Sequence, residues 1–587
     1  MDNRGVARCL HEIADLLDIK GENSFRIRSY RVAAETVENH GGDVVAMVRR
    51  GEDLKSLPGV GAGIAGKIQE IVEQGECAYQ RELLAEVPRG LLELLELPGL
   101  GPKGVSLVWR QLGVTSADEL EAAITGGRFR TLPGMKDKKE ARILKGLQER
   151  RNQERRFLLP VAAAAAERLI AYLKEHGAQR VEAAGSYRRR RESIGDLDLL
   201  AVGGEAEALA RALTTHPDVK EVLAQGAGKS SVVLSSGLQV DLKQVEPDSI
   251  GAALQYFTGG KGHNIATRER AVRRGLKLNE YGVFRVDTGE RVAGATEDEV
   301  YQALGLRYIP PEMREGRGEI ERAEAGTLPA LVEEADVLGD LHAHTTESDG
   351  KDSLEAMVAA ARARGLRYLA LTEHSRAIPS PTMGSGMDEA RCLAHIRRLR
   401  AYQERVPDLR LLAGVEVDIL PDGRLDMDDE VLAQLDVVVA SLHSQLTMEP
   451  AKMTDRVLKA FENPYFQIWG HPLARRLFQR LPVGIDLERV FTEAGRQGVT
   501  LEINSQPQRL DLPDHLIRSA REKGLRFVIS TDSHSTSQLE NMRWGVGQAR
   551  RGWLGPEDVL NTRPADGLLA LLRRPSGQAT SPGPAAR

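Results

Sequence analysis

The clearest pattern in the chain lies between residues 336 and 572. Seven short apolar runs, at 337–341, 368–372, 411–415, 437–441, 466–469, 500–503 and 527–530, alternate there with helical stretches. Such runs predict buried strands, and their alternation with helices predicts a parallel βα barrel. From about 155 to 310 the texture is mixed: an alanine-rich helix near 160–176, then apolar runs at 181–184, 197–202, 232–234 and 238–245, an α+β pattern. Residues 310–326, rich in proline, glycine and charge, predict a linker. Residues 1 to about 150 read as short amphipathic helices punctuated by glycine. Leu57-Pro-Gly-Val-Gly-Ala-Gly and Leu97-Pro-Gly-Leu-Gly-Pro-Lys carry the same Gly-x-Gly turn, and Leu132-Pro-Gly-Met-Lys is a weaker third copy without the second glycine. This is a repeat of helix, glycine hairpin and helix. The predicted division is 1–90, 91–150, 151–255, 256–315, a linker at 316–335, 336–574, and a tail at 575–587 whose Pro, Gly, Ser and Ala predict disorder.

Composition narrows the chemistry. With 80 basic and 85 acidic side chains among 587 residues the formal net charge is −5, which excludes a histone-like polycation. No stretch approaches the roughly 20 apolar residues of a membrane span, and residues 1–10 carry charge where a signal peptide is apolar. A cytoplasmic protein without a membrane partner is the expectation. The three cysteines, Cys9, Cys77 and Cys392, are far apart, which excludes a disulfide framework and a cysteine-built zinc site. Any metal must then be held by histidine and carboxylate, and eight of the 13 histidines lie beyond residue 335.

In the α+β stretch, Gly185-Ser-Tyr-Arg-Arg-Arg-Arg-Glu-Ser-Ile-Gly-Asp196-Leu-Asp198 sets two carboxylates two residues apart in a strand pattern, hence on one face. Asp241, in Gln239-Val-Asp-Leu, is a third acid that a neighbouring strand could bring opposite them. Clustered carboxylates repel unless cations sit among them, and Mg²⁺ or Mn²⁺ takes such oxygens together with substrate phosphates. Asp-x-Asp alone is commonly a solvated strand end, but its flanks sharpen it. Gly-Ser-x-Arg-Arg followed by Gly-Asp-x-Asp resembles the nucleotidyltransferase motif of family X DNA polymerases, the DNA polymerase beta group, as does Tyr256-Phe-Thr-Gly259 with Asn264 and Arg268 after it.

That resemblance implies an α+β palm of the polymerase beta type, with Asp196, Asp198 and Asp241 as catalytic metal ligands and Asp241 also acting on the primer 3′-hydroxyl. It implies that Ser186, Arg189 and Gly195 hold the incoming triphosphate, that Tyr256 and Phe257, beside Gly259, line the sugar pocket, and that Asn264 and Arg268 touch the minor-groove side of the base pair. Arg155, with Arg156 beside it, falls where the family often has another triphosphate arginine. The chain departs from polymerase beta at Ile194, where that enzyme has a serine, and at Gly260-Lys261-Gly262-His263, where it has an acid. Lys261 and His263 are expected to add phosphate or base contacts.

The glycine turns resemble helix-hairpin-helix units, whose backbone N–H groups bind DNA phosphate without reading sequence. This implies DNA contacts at Gly59, Gly61, Gly63 and Lys67 in the first copy and at Gly99, Gly101 and Lys103 in the second. Lys67 matches the position of a Schiff-base lysine of some family members, although Gly63 replaces a supporting lysine; a phosphate contact is the expected role.

In the barrel, Asp340-Leu-His342-Ala-His344 follows the first strand, with Asp349 soon after. Glu373-His374, Glu416, His443, His471 and Asp532-Ser-His534 follow the second, third, fourth, fifth and seventh strands. All lie at the C-terminal rim of their strands, where parallel barrels build sites. Imidazole with carboxylate suits Zn²⁺, Mn²⁺ or Fe²⁺, and such a set would serve two or three ions for phosphoester hydrolysis. The motifs resemble the polymerase and histidinol phosphatase (PHP) domain, a distorted seven-stranded barrel with a trinuclear metal site. The match runs through His342, His344, Asp349, His374, Glu416, His443, His471, Asp532 and His534; Arg376 and Asn504 are candidates for orienting phosphate.

The order of helix-hairpin-helix repeats, palm and barrel resembles bacterial family X DNA polymerases over nearly the whole chain. It implies a monomeric repair polymerase of the nucleoid that fills short gaps in primed DNA from dNTPs, in base excision repair or end joining. Its barrel would act as a 3′-5′ exonuclease, with abasic sites and 3′-phosphates as further targets. Two other readings stay open: a small-molecule metallophosphatase with a nucleotide-sensing polymerase-like core, and a DNA-binding scaffold with dead sites.

Overall fold

The computed structural model describes residues 3–38, 44–57, 59–95, 97, 99–154, 156–378 and 386–573. Arg155 and the 575–587 tail, both subjects of sequence expectations, lie outside the described residues. The chain packs as two compact units, Met1–Arg155 and Arg156–Arg587.

The first unit is helical. Its glycine turns open the helices Ala62–Gln74 and Pro102–Leu112, with Gly61 and Gly101 immediately before the first turn. Gly59 and Gly99 adopt φ of 75° and 99°, which residues with a side chain rarely do, so the turn needs glycine. Ile68, Ile71, Leu94, Val105 and Val108, drawn from both repeats, join Leu10, Ile13 and Leu17 in a single apolar core.

The second unit begins with a five-stranded sheet: β1 (Arg180–Ala183), β2 (Asp196–Val202), β3 (Val219–Ala224), β4 (Lys229–Leu234) and β5 (Gln239–Gln244), in the order β1-β2-β5-β4-β3. β2 and β5 run parallel and the other pairs antiparallel. Leu197 and Leu199 point from β2 into the core, which turns Asp196 and Asp198 together to the other face. The apolar pattern does not mark β3, an edge strand whose residues are mostly exposed. The helices Ile250–Thr258 and Lys261–Arg273 follow, then a three-stranded antiparallel sheet of β6 (Leu276–Asn279), β7 (Gly282–Arg285) and β8 (Arg291–Ala293), and the helix Glu297–Ala303.

Residues 310–326, expected as a linker, are folded. They contain the turn Pro311–Met313 and the helix Glu319–Ala325, with Glu312, Arg314, Glu319, Ile320 and Ala323 buried. Their charges look solvent-directed in sequence but find partners in the fold. Fully buried Arg314 pairs with Glu297, which also accepts from Arg188 at 2.8 and 2.6 Å. Burial opposes the charge on Glu297, yet Arg188 and Arg314 hold its carboxyl down at about 2. That stabilisation is present above the ordinary carboxylate range and is lost as pH falls from about 4.3 towards 2. Glu297→Gln is expected to destabilise this unit by about 3–5 kcal/mol at pH 7, because a buried guanidinium loses its counter-ion. Chemical denaturation should show a much smaller penalty at pH 2; an equal loss at both pH values would contradict the ion-pair account.

The barrel strands are β9 (Gly339–Asp340), β10 (Tyr368–His374), β11 (Arg410–Asp418), β12 (Val437–Ser441), β13 (Ile468–Trp469), β14 (Thr500–Asn504) and β15 (Phe527–Ser530). They pair in sequence order and all in parallel. A parallel bridge between Ala343 and Ser533 joins the two ends, so the barrel is nearly closed. Each strand falls on an expected run, but β10 and β11 continue past it, so Glu416 stands inside its strand rather than after it. Leu510 and Trp544, from the barrel domain, belong to the same apolar cluster as Leu159, Leu197 and Val240 of the palm. Trp553 likewise packs with Tyr301 and Leu306. Among the described residues no helix is long and apolar enough to cross a membrane.

Candidate functional site

Two clusters of ionisable side chains stand out, both in the second unit. The parallel register of β2 on β5 sets Asp198 directly opposite Asp241, with Asp196 on the same face. Burial, then the charges of Asp196 and Asp241, push the Asp198 carboxyl up to about 7, and Asp196 is raised by burial and by Asp241. Asp241 goes the other way: burial would raise it, but Lys229 Nζ at 2.7 Å, Ser231 and Gln239 lower it. One ammonium thus faces three carboxylates, a deficit that divalent cations would fill.

Around this triad, Gly195 precedes β2 and half-buried Ser186 lies in the turn of helix Gly185–Arg188. Tyr256 and Phe257, near the end of Ile250–Thr258, meet edge to face at 5.1 Å. Asn264 donates to the carbonyls of Tyr256 (2.7 Å) and Gly259 (3.1 Å), tying two helices together. Arg268 and Lys261 are exposed, with Arg268 Nε donating to the Asn264 carbonyl at 3.0 Å.

One expectation is corrected. His263 is fully buried, with Nδ1 at 2.8 Å from Glu319 and Nε2 at 3.0 Å from the Tyr301 hydroxyl, so neither ring nitrogen is left for a nucleotide. Arg189 is also buried: it donates to Glu315 (3.0 Å) and to the Thr258 carbonyl (2.7 Å), while its charge also acts on the Asp198 carboxyl. Arg156 is the described arginine that stands beside Gly195: a Cβ on that glycine would lie 3.7 Å from its NH1.

The second cluster crowns the barrel. Glu416 lies at its centre, within 2.8 Å of His374, 2.9 Å of His471, 3.3 Å of His342 and 3.4 Å of His443. His344 approaches Asp532 at 3.3 Å, and Asp349 lies 3.2 Å from His534 and 3.4 Å from His374. Three groups have ligand atoms within 4.8 Å of one another: His344, Asp349, His374 and His534; His342, His344 and Asp532; His374, Glu416 and His443. His471 touches Glu416 but belongs to none of them. The donor set fits metal. His342 Nε2, both nitrogens of His344, Asp349 Oδ1, His374 Nδ1 and Glu416 Oε2 are buried without a hydrogen-bond partner, which a polar atom avoids unless something else binds it. Burial, with the neighbouring His534 and His374, lowers His344 to about 3, and burial with the charge of Arg509 lowers His471 to about 4; both are neutral imidazoles, the form that ligates. His471 and Asp532 hold φ of 25° and 52°, left-handed values that are costly for side-chain-bearing residues and recur at built sites.

Glu502 was missed by sequence reasoning. Inside β14 and fully buried, it lies 2.7 Å from His342 Nδ1 and accepts from the His471 backbone N–H at 2.6 Å, orienting two of the rim histidines. The signal was present: a lone acid in the apolar run Thr500-Leu-Glu-Ile has no reason to be buried unless it is paired. Asn504 donates to Glu502 and to Asp532 at 3.1 Å. Glu373 instead turns away to accept from Thr345 and Ser348.

A DNA polymerase/3′-5′ exonuclease PolX of Bacillus subtilis (strain 168) is 36% identical over 581 residues, 98% of this chain and 100% of the relative. The chain belongs to the PolX family. Family models match along its length: a helix-hairpin-helix domain at 1–77, a SAM-like helix-hairpin-helix tandem at 91–149, a DNA polymerase beta thumb at 253–315 and a PHP domain at 340–578. Relatives described as probable phosphatases match in part: one of Thermoanaerobacter sp. (strain X514) is 27% identical over 38% of this chain and 89% of the relative. One of Acetivibrio thermocellus is 31% identical over 34% of this chain and 80% of the relative. The PolX order of helical repeats, palm, thumb and PHP barrel accounts for both clusters at once. In the helical unit of this PolX chain, Lys103 is exposed at its glycine turn, whereas Lys67 Nζ donates to the Gly63 carbonyl at 3.2 Å and sits 5.0 Å from the Tyr79 ring.

Proposed function

We propose that this chain is a DNA polymerase that extends primer 3′ ends across short gaps, with a PHP barrel that removes nucleotides in the 3′-5′ direction. The observation that carries the reading is the register of Asp198 on Asp241 beside Asp196, in a chain whose full length aligns with a PolX polymerase. Mg²⁺ or Mn²⁺ bound there would neutralise the triphosphate and ease ionisation of the primer hydroxyl. Asp196, Asp198 and Asp241 would hold that metal, and Asp241 would also act on the primer 3′-hydroxyl. Ser186 and the Gly195 backbone hold the triphosphate, with Arg156 in the role first expected of Arg155; Tyr256 and Phe257 bound the sugar. At the barrel rim the three groups would hold two or three ions of the Zn²⁺, Mn²⁺ or Fe²⁺ type, which when bound would supply Lewis acidity towards a phosphodiester. Glu502 fixes His342, and the neutral imidazoles of His344 and His471 stay available as donors. The glycine turns hold gapped DNA by its phosphates, and the protein works as a monomer in the cytoplasm, on nucleoid DNA.

A labelled one-nucleotide gap tests this. Purified protein with Mn²⁺ and dNTPs should lengthen the primer, and without dNTPs should shorten it from the 3′ end. Rapid hydrolysis of a free phosphate monoester with no change in DNA length would establish the small-molecule phosphatase reading instead.

Gly185 offers a sharper test. A Cβ there would lie 2.4 Å from Asp198 Oδ2, and the residue's φ is 62°. Gly185→Ala must displace the Asp198 carboxylate, and a shift of about 1 Å at a reacting centre costs on the order of 10²-fold in rate. Single-turnover extension should fall by about that factor while 3′-end degradation is unchanged; unaltered extension would remove Asp198 from the reacting centre.

A further inference from the structure

Between β13 and the helix Leu487–Gln497 the chain leaves the barrel rim at His471 and turns back on itself. Arg476 and Arg480 exchange backbone hydrogen bonds of 2.9 and 2.8 Å across an antiparallel bridge, so Leu477, Phe478 and Gln479 form the tip of a hairpin. Its base is braced: the Val483 N–H donates to the Leu473 carbonyl at 3.0 Å, Arg480 Nε donates to the Ala474 carbonyl at 2.7 Å, and Leu473 and Val483 are buried. The tip is tied to the rim. Leu477 N–H donates to the Gln508 carbonyl at 2.6 Å, and the next residue, Arg509, lies 3.5 Å from the rim acid Asp532, whose charge also reaches Arg476.

On this braced hairpin two apolar side chains face solvent: Phe478 is 60% exposed and Leu481 86%. An exposed leucine by itself needs no account. Phe478 does, because its φ is 63°, a left-handed value unfavourable for a bulky side chain, and its ring recovers nothing by burial. Backbone strain of this kind clusters where a side chain has work at a site. Two apolar side chains are far too little for a stable protein interface, which covers about 800 Å² on each partner. A ring flanked by the exposed arginines Arg476 and Arg480 has instead the makeup of a nucleic-acid platform: the ring takes the face of a base, and the guanidinium groups take phosphates on either side. We propose that Phe478 stacks on a base of the DNA strand that the barrel shortens, with Arg476 and Arg480 on the flanking phosphates, and so presents the 3′ end to the rim. Every base has a face to stack, so the contact is indifferent to sequence. The assignment rests on the reading of the barrel as a 3′-5′ nuclease.

Steady-state degradation of single-stranded oligonucleotides by the full chain with Mn²⁺ tests the proposal. Phe478→Ala should raise KM about tenfold with kcat little changed, the loss expected of one base stack, and Phe478→Trp should keep the parent's KM. The side chain is exposed, so both variants should melt with the parent. In a series of strands carrying one dihydrothymine, a saturated and non-planar base, at successive positions from the 3′ end, one position should raise the parent's KM by a similar factor and leave that of Phe478→Ala unmoved. A readout without turnover accompanies it: 5-iodouracil at that position, in a phosphorothioate strand that resists cleavage, should photocrosslink to Phe478. An unchanged KM in Phe478→Ala, a loss confined to kcat, effects that simply add at every position, or crosslinks that avoid Phe478 would overturn the stacking role and leave the nuclease reading intact. A parent that shortens no strand would overturn both.

Discussion

Asp198→Ala is expected to lower primer extension by about a thousandfold or more while leaving 3′-end degradation at its original rate. Asp198 is the most perturbed of the three acids, raised to about 7 by burial and by two neighbouring carboxylates, and its strand partner is Asp241. Removing it would take away one of the three carboxylates proposed to hold the metal. Interactions that stabilise developing charge at a reacting phosphate are worth this much. The fold should survive: the substitution relieves repulsion, so in metal-free buffer at pH 8 the variant should melt no lower than the parent. Extension and degradation of a labelled gapped primer, run side by side, measure both. Loss of both activities in a folded variant would mean the two clusters are not independent.

His344→Ala should do the converse, removing 3′-end degradation by about a hundredfold or more and sparing extension. His344 belongs to two of the three ligand groups, is fully buried, and has both ring nitrogens without a hydrogen-bond partner. Metal content supplies a second readout: the purified variant should carry fewer equivalents of transition metal than the parent. Full metal content with unchanged degradation would take His344 out of the site.

Much of this was legible before the fold was known. The apolar runs marked all seven barrel strands because a strand buried on both faces has no polar alternation to blur it. The period-2 spacing of Asp196 and Asp198 put them on one face, and repeated imidazole and carboxylate at strand ends pointed to one rim. What sequence did not disclose depends on long-range pairing. Residues 310–326 look like a linker because Glu312, Arg314 and Glu319 look solvated; their partners Arg550, Glu297 and His263 are distant in the chain. His263 follows two glycines at the start of the helix Lys261–Arg273, where phosphate contact was the natural expectation, and only the packing of Tyr301 and Glu319 reveals it as core. Glu502 passed as an ordinary strand residue, since its role exists only once His342 and His471 are beside it.

Leu510 and Trp544 sit in the palm's apolar cluster although the chain places them far beyond it. Domains that share an interior are not interchangeable parts. A palm inherited without its barrel carries an uncovered oily floor, and a barrel transplanted alone carries two large side chains with nowhere to go. The shared interior makes the two domains one folding and functional unit, so that separating them exposes apolar surface on both sides.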